Sequence, residues 1–375
     1  MFCDYKTTAE YLLASYHLLL HNLHTMEHCP IELWLKIAAF ACTDGGYTGR
    51  SLSLVSRTMR DVVKPVRFQT VSLSSEEQLL AFSRLLAHPI LLPAIRHILA
   101  SSSLLPHGNP PPVIRHLFVS VKIPSWGPDR MLPQRIAELV SAFRAVINVA
   151  ATNVETLVVH ESRRFDPIGG DWVFPALRDL SVNVLYLDSG ADHHTRFPSL
   201  RRLHYSSVRS PNTRDLWPQL VSFAPDITHL RLSGVLGDIF LPRVLRLLLD
   251  VPAEKRSGAT SDAAASHAPD PANGNNTPAA ALRLPSLKHI YVQPSGWHND
   301  DRTSMGALMH NAMETALQSI ADACDRGEGV GKLYVLPESQ GYHVSEARKH
   351  WLELIEGGDG PWHAETVEHR KEVDQ

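Results

Sequence analysis

The chain is short of cysteine, with four in 375 residues, at positions 3, 29, 42 and 324. None stands in a C-x-x-C pair, so neither a disulfide framework nor a zinc finger of the usual ligand spacing is suggested. Reduced, mostly buried thiols are the preferred reading, and they fit an intracellular address, cytoplasmic or nuclear. Long apolar runs are also missing, since no uninterrupted stretch approaches the ~18 residues of a membrane span. The nearest approach to a signal peptide, Tyr11 to Leu20, follows the acidic Asp4 and Glu10, is interrupted by His17 and leads to no small-residue cleavage site. Charge is modest and balanced: 20% of residues are charged, the formal net charge is −3, and there is no sustained basic run. Neither nucleic acid nor an anionic membrane is therefore an expected partner.

Catalytic text is lacking as well. Gly327, Gly329 and Gly331-Lys332 resemble a phosphate loop, but Arg326 stands where glycine is needed and Leu333 follows the lysine in place of Ser or Thr. His160-Glu161 has no second histidine at the zincin position, and no G-x-S-x-G elbow exists. The expectation is a protein that is not an enzyme, with no catalytic residue, no cofactor and no metal ligand, working through a protein partner.

With 44% apolar residues the chain can bury a sizeable core, and its length fits two or three domains. Residues 9 to 26 read as one amphipathic helix, because Leu12, Tyr16, Leu19, Leu23 and Met26 recur at alternating steps of four and three. The opposite face carries His17, His21, His24 and His28 at the same spacing. Such a stripe can bind a divalent metal, but no carboxylate or cysteine completes the ligand set, and a solvated, pH-sensitive face is the preferred reading.

The most informative stretch runs from Pro30 to Leu73. Proline at the first helical position lacks only an N–H that would be unpaired there, and Leu33, Trp34, Ile37, Ala38 and Ala41 then cover one broad face. Leu35 and Phe40 lie away from its centre, so a short helix is apolar on more than one side and must be covered twice. A glycine-rich turn, Asp44 to Gly49, leads to Leu52, Val55, Met59 and Val62 at helical spacing, stopped by Pro65. Beyond it Val66 to Leu73 take a β-like period, and Ser74 with Glu77 makes a capping box opening a helix to about Ala87.

A repeat follows. Leu92 to Ile98, Pro111 to Leu117, Phe174 to Leu180, Phe197 to Leu203, Ala224 to Leu230 and Leu284 to Ile290 share the template x-P-x-L-(polar)-x-L or a close variant of it, and Thr152 to Leu157 is a seventh copy without the proline pair. Taking the first aliphatic as anchor, 154 to 177 and 177 to 200 are each 23 residues and 200 to 227 is 27, within the 20 to 29 of leucine-rich repeats. Each copy reads as a short strand, with returns such as Pro133 to Val149 and Pro242 to Asp250 long enough for parallel, right-handed crossovers. The interval from 227 to 287 holds an insert, 252 to 281, rich in Ala, Pro, Asn, Gly and Ser, which cannot offset the entropy of ordering. A helix over about Met305 to Arg326, a strand over Lys332 to Leu336 and a helix from Ser345 to Gly357-Gly358 close the pattern, as a unit expected to cover the open end of the array.

Pro30-Ile31-Glu32-Leu33, followed after a loop by Leu52-Ser53-Leu54-Val55-Ser56-Arg57, resembles the F-box. The wider wording, Ala41 to Gly46 through Val66-Arg67-Phe68, resembles the F-box-like proteins of mushroom-forming fungi, with departures at Cys29, where leucine is usual, and at Met59, near where tryptophan is common. Leucine-rich-repeat tails commonly follow an F-box, and the copies here, which mostly lack the asparagine ladder, resemble an irregular form of them. The resemblance implies an α/β protein: an N-terminal all-α F-box-like unit, then an irregular leucine-rich-repeat-like right-handed α/β solenoid with parallel strands. It further implies that residues 28–64 dock on the Skp-type adaptor of a cullin-based ubiquitin ligase, with Pro30, Ile31, Leu33, Ile37, Leu54 and Val55 facing the adaptor, while the solenoid selects a protein substrate. The expected organisation is an extension over 1–27, the F-box-like unit over 28–65, the solenoid over 66–362 and a flexible tail over 363–375. A second reading stays open: an interaction scaffold whose N-terminal helices only cap the solenoid.

Overall fold

The computed structural model describes residues 29–87, 113–121, 133–160, 172–183, 196–206, 217, 220–238, 240–252, 284–296, 305–339 and 341–362. The helix expected over 9–26 with its histidine stripe, the copy at Leu92 to Ile98, nearly all of the insert at 252–281 and the tail lie outside these residues.

The architecture is α/β. Three short helices, α1 (Ile31–Ala41), α2 (Tyr47–Val55) and α3 (Arg57–Val63), precede an open, all-parallel sheet of eight strands in strict sequence order. The strands are β1 (Thr70–Leu73), β2 (His116–Ser120), β3 (Thr156–His160), β4 (Asp179–Val182), β5 (Arg202–Tyr205), β6 (His229–Val235), β7 (His289–Pro294) and β8 (Lys332–Val335). Interleaved with them are α4 (Glu76–Ala87), α5 (Pro133–Ala150), α6 (Leu241–Leu248) and α7 (Met305–Asp325), and α8 (Val344–Ile355) with a 3₁₀ turn (Gly360–Trp362) comes last.

The repeated proline has a specific task. In x-P-x-L the backbone N–H of the anchor donates to the carbonyl of x: Leu177 to Phe174, Leu200 to Phe197, Ile227 to Ala224 and Leu287 to Leu284, at 3.1 to 3.4 Å. This is a β-turn with proline at its second position, where a fixed φ near −65° is already what the turn needs. The turns stack into the sheet, since Arg201 N donates to Arg178 O and Thr228 N to Arg201 O. These four turns set one register, so Asp179, Arg202, His229 and His289, each two past its anchor, lie side by side, and His116, Thr156 and Lys332 continue the row. The insert does not disturb this, because β6 pairs directly with β7 across it.

Period-two alternation then sorts the two faces. One face carries the in-register row Val71, Leu117, Leu157, Leu180, Leu203, Leu230, Ile290 and Leu333, packed with Phe82 of α4, Phe143 of α5, Leu245 of α6 and Leu317 of α7 into a single large core. The other face carries Thr70, His116, Thr156, Asp179, Arg202, His229, His289 and Lys332 in one row and Ser72, Phe118, Val158, Ser181, His204, Arg231, Tyr291 and Tyr334 in the next. Parallel sheets are normally covered on both sides, and here the chain's own C-terminal segment covers part of the polar one. Trp351 of α8 is fully buried on Phe118 and Val158, and Trp362 packs on Tyr291.

That placement corrects the expectation that the last helix covers the open end. Phe118 and Val158 are apolar residues in otherwise polar rows, and α8 lies over β2 and β3, where it takes them out of water. Two smaller corrections concern helix starts. Pro30 is the N-cap of α1, not its first residue. The box opening α4 is shifted by one, with Ser75 Oγ accepting from Gln78 N (3.2 Å) and Gln78 Oε1 from Ser74 N (2.7 Å).

Candidate functional site

The helices α1 to α3 are held together by local chemistry. Both carboxylate oxygens of Asp44 accept from Thr48 N, at 3.0 and 2.9 Å, and Thr48 Oγ1 donates to Asp44 Oδ2 at 2.6 Å, which fixes the start of α2. The glycine stretch is consequently shorter as a loop than its text implies, since Gly49 already lies in α2. Ser56 is extended and ends α2, and its hydroxyl accepts from Met59 N (3.0 Å) to open α3, so the run read as one helix is two.

This unit is seated on the sheet with no spacer. Ser72 N, on the free edge of β1, donates to Gly45 O (3.3 Å), and Gln69 Nε2 donates to Ala39 O (3.4 Å). Gly45 has φ +83°, and a Cβ there would stand 2.9 Å from Ser72 Cβ. A Cβ on Gly49 would stand 2.7 Å from the backbone oxygen of Arg67. Both glycines let backbone approach backbone closely. Cys42 is buried in the same place, and burial, with Asp44 nearby, pushes its thiol up to about 11. It is an inert packing residue.

Ala38 is the buried residue of α1, with Trp34 and Leu35 half-buried. The residues expected at the adaptor surface are all on the outside. Pro30 is exposed, and Ile31, Leu33, Ile37, Leu54 and Val55 keep between 46% and 71% of their surface. The helices that carry them touch each other directly and through α3. Sequence reasoning missed Phe40, which at 83% is the most exposed large apolar residue among those described. Its spacing gives it away, since Leu33, Ile37 and Phe40 fall at i, i+4 and i+7.

The polar face of the sheet is a second site, and several of its side chains are engaged by residues 341–362. His160 Nε2 donates to Tyr342 O at 3.0 Å, the Tyr342 ring stands on His204 with centroids 4.3 Å apart, and Tyr291 Oη donates to Trp362 O at 3.2 Å. Arg231 is 7% exposed and gives all its bonds to neutral acceptors: Pro361 O, Ser233 Oγ (3.2 Å) and Gln293 Oε1 (3.1 Å). Burial accordingly holds its guanidinium below the usual range. Burial also drives His116, His160 and His229 down to about 4, and His204 well below its ordinary value. Beside this segment, Ser74, His343, Val344, Ser345, Arg348, Lys349 and Leu352 line an open cleft of about 840 Å³.

A third cluster joins α7 to the segment after β8. His310 Nε2 lies 3.2 Å from Glu338 Oε1 and 3.6 Å from Glu314 Oε1. Burial pushes the Glu314 carboxyl up, His310 opposes this, and Glu338 adds to the rise through its charge and a hydrogen bond. Sequence reasoning did not single out this cluster; its one signal there is that His310 and Glu314 stand at i and i+4 on a helix. Glu338, on another element, carries none.

The described cysteines are free, with Cys42 and Cys324 buried, and no described helix is long and apolar enough to cross a membrane. Compared with known proteins, no family model, no curated protein and no solved structure matches the chain significantly.

Proposed function

We propose that the chain is an F-box-like substrate receptor of a cullin-based ubiquitin ligase. Residues 28–64 dock on a Skp-type adaptor through Pro30, Ile31, Leu33, Ile37, Leu54 and Val55, with Phe40 added to the set. The remainder, an irregular leucine-rich-repeat-like solenoid, holds a protein substrate. The mechanism is proximity: a substrate is held beside the ligase's charged ubiquitin carrier, inside the cell, and no residue of this chain does bond chemistry.

The observation that carries this reading is the exposed apolar surface of α1 and α2. Short helices leave such a surface open to water when another chain covers it, and its burial contributes about 25 cal/mol per Å². The direct seating of the unit on β1 supports the reading as well, since it fixes the distance from adaptor to substrate. Because residues 341–362 occupy much of the polar sheet face, the substrate surface includes α8 and the cleft beside it.

The second reading, a scaffold whose helices serve only as a cap, draws on the bond from Ser72 N to Gly45 O, which satisfies the free edge of β1. The experiment is co-purification with a Skp-type adaptor, comparing wild type with the double variant Leu33→Asp, Ile37→Asp. Both positions are half-exposed, so the fold survives. Adaptor recovered with wild type and lost with the variant supports the receptor; recovery that is absent, or equal in both, sinks it in favour of the scaffold.

A further inference from the structure

The cluster of His310, Glu314 and Glu338 has a geometry that a salt bridge does not require. An ion held 2.0–2.2 Å from tetrahedral nitrogen and oxygen ligands keeps those ligands roughly 3.3–3.6 Å apart. His310 Nε2 stands 3.2 and 3.6 Å from the two carboxylate oxygens, and the three ligand atoms all lie within 4.8 Å of one another. The remaining gap closes by side-chain rotation, which both partly exposed glutamates have room to make.

The burial is graded in a way that suits a three-ligand site with an open position. The His310 side chain is 3% exposed, whereas Glu314 and Glu338 are 35% and 48% exposed. Imidazole therefore approaches from the protein side, the carboxylates flank it, and the free position faces water. Two carboxylates also converge here with no lysine or arginine paired to either among the described residues. Like charges brought together repel unless a proton or a cation lies between them.

We propose that His310, Glu314 and Glu338 bind one divalent transition-metal ion, Zn²⁺ in preference to Mg²⁺ or Ca²⁺, and so fasten the root of the C-terminal segment to α7. The imidazole nitrogen sets this preference, because Mg²⁺ and Ca²⁺ are held by oxygen alone. Glu338 follows β8 directly and precedes the residues that cross the polar sheet face, so an ion there anchors that crossing to the helix layer on the other side. The inference is independent of adaptor binding, as the cluster and the helices α1 to α3 share no residue.

The test uses the full chain, stripped with a chelator and exchanged into buffer, and titrated calorimetrically with Zn²⁺. Histidines elsewhere in the chain bind some metal, so the comparison with Glu338→Gln and Glu314→Gln decides. Both variants alter partly exposed positions and keep the shape of the side chain. Wild type takes up one more equivalent than either variant, or binds that equivalent more than about 100-fold tighter, beyond the 10–100-fold that losing an outer partner costs. Saturating Zn²⁺ raises the Tm of wild type and not that of the variants. Co²⁺ gives tetrahedral d–d absorption that both variants lose. Equal stoichiometry, affinity and Tm response in the three proteins overturns the proposal and leaves His310 held between two carboxylates without an ion.

Discussion

His160 shows how much one side chain depends on what covers it. Its ring lies under the Tyr342 carbonyl, and burial lowers its pKa from 6.5 to about 4, with His343 nearby adding to the fall and the Tyr342 hydrogen bond opposing it. A histidine whose folded pKa is depressed binds fewer protons folded than unfolded, so stability rises with pH between the two values. It is fully present above 6.5 and lost as pH falls toward 4. His116 and His229, also at about 4, contribute with the same sign. The urea midpoint should therefore fall as the pH is taken from 7 to 4. In His160→Gln, whose amide can still donate to Tyr342 O, the fall should be shallower. None of this burial was legible in sequence. His160 stood out only as part of a His-Glu pair, and the residue that covers it is distant along the chain. The outward placement of Ile31, Leu33 and Ile37 was expected from the resemblance to the F-box. The 3.6-residue period alone grouped Leu33 and Ile37 with Trp34 and Ala38, which turn inward, and Phe40 was passed over because it lies off the centre of that face.

Among elements, local chemistry was the readable part. A strand follows each x-P-x-L turn among the described residues, because proline and the anchor aliphatic specify the turn, and both act within four residues. The described helix ends beyond β1 were read to within a residue or two, with the capping box shifted from Ser74 to Ser75 because neighbouring serines offer the same hydroxyl, whereas the break between α2 and α3 was not read. The docking of α2 on the sheet was not readable, since nothing in Gly49 itself names Arg67 as its neighbour. That contact is nonetheless sharp. Gly49→Ala places a methyl 2.7 Å from a backbone oxygen that cannot rotate away, and the expected loss is about 1–3 kcal/mol in the urea stability of the chain. Ser53→Ala, which removes only the bond from Ser53 Oγ to Gly49 O, should change stability by less than half as much. A loss in Gly49→Ala no larger than that in Ser53→Ala means that α2 can shift on the sheet.

For the molecule as a whole, a sheet in strict sequence order places each strand against its neighbours in the chain, and such arrays unfold piecemeal when nothing else links them. Residues 341–362 supply that link, reaching from Trp362 on β7 to Trp351 on β2 and β3. A chain ending at Gln340 should accordingly keep its helical and strand content by circular dichroism. It should bind a dye specific for exposed apolar surface more strongly, through Phe118, Val158 and Tyr291, and should unfold over a broader urea range than the full chain. Unchanged dye binding and an equally sharp transition contradict this role. The parallel order was visible beforehand in the spacing of the copies, whereas the return across the polar face was not, because Trp351 and Tyr342 carry no mark of which strands they meet.

The same return sets a timetable for biosynthesis. Phe118 leaves the ribosome well before Trp351, and at 5–20 residues per second the interval is some tens of seconds. During it all residues of α1 to α3 and of β1 have been made, while the segment that covers the polar face of β2 and β3 has not. The residues that cover Phe118 and Val158 are thus made long after them, and the polar face of β2 and β3 cannot be closed by residues 341–362 until those have emerged.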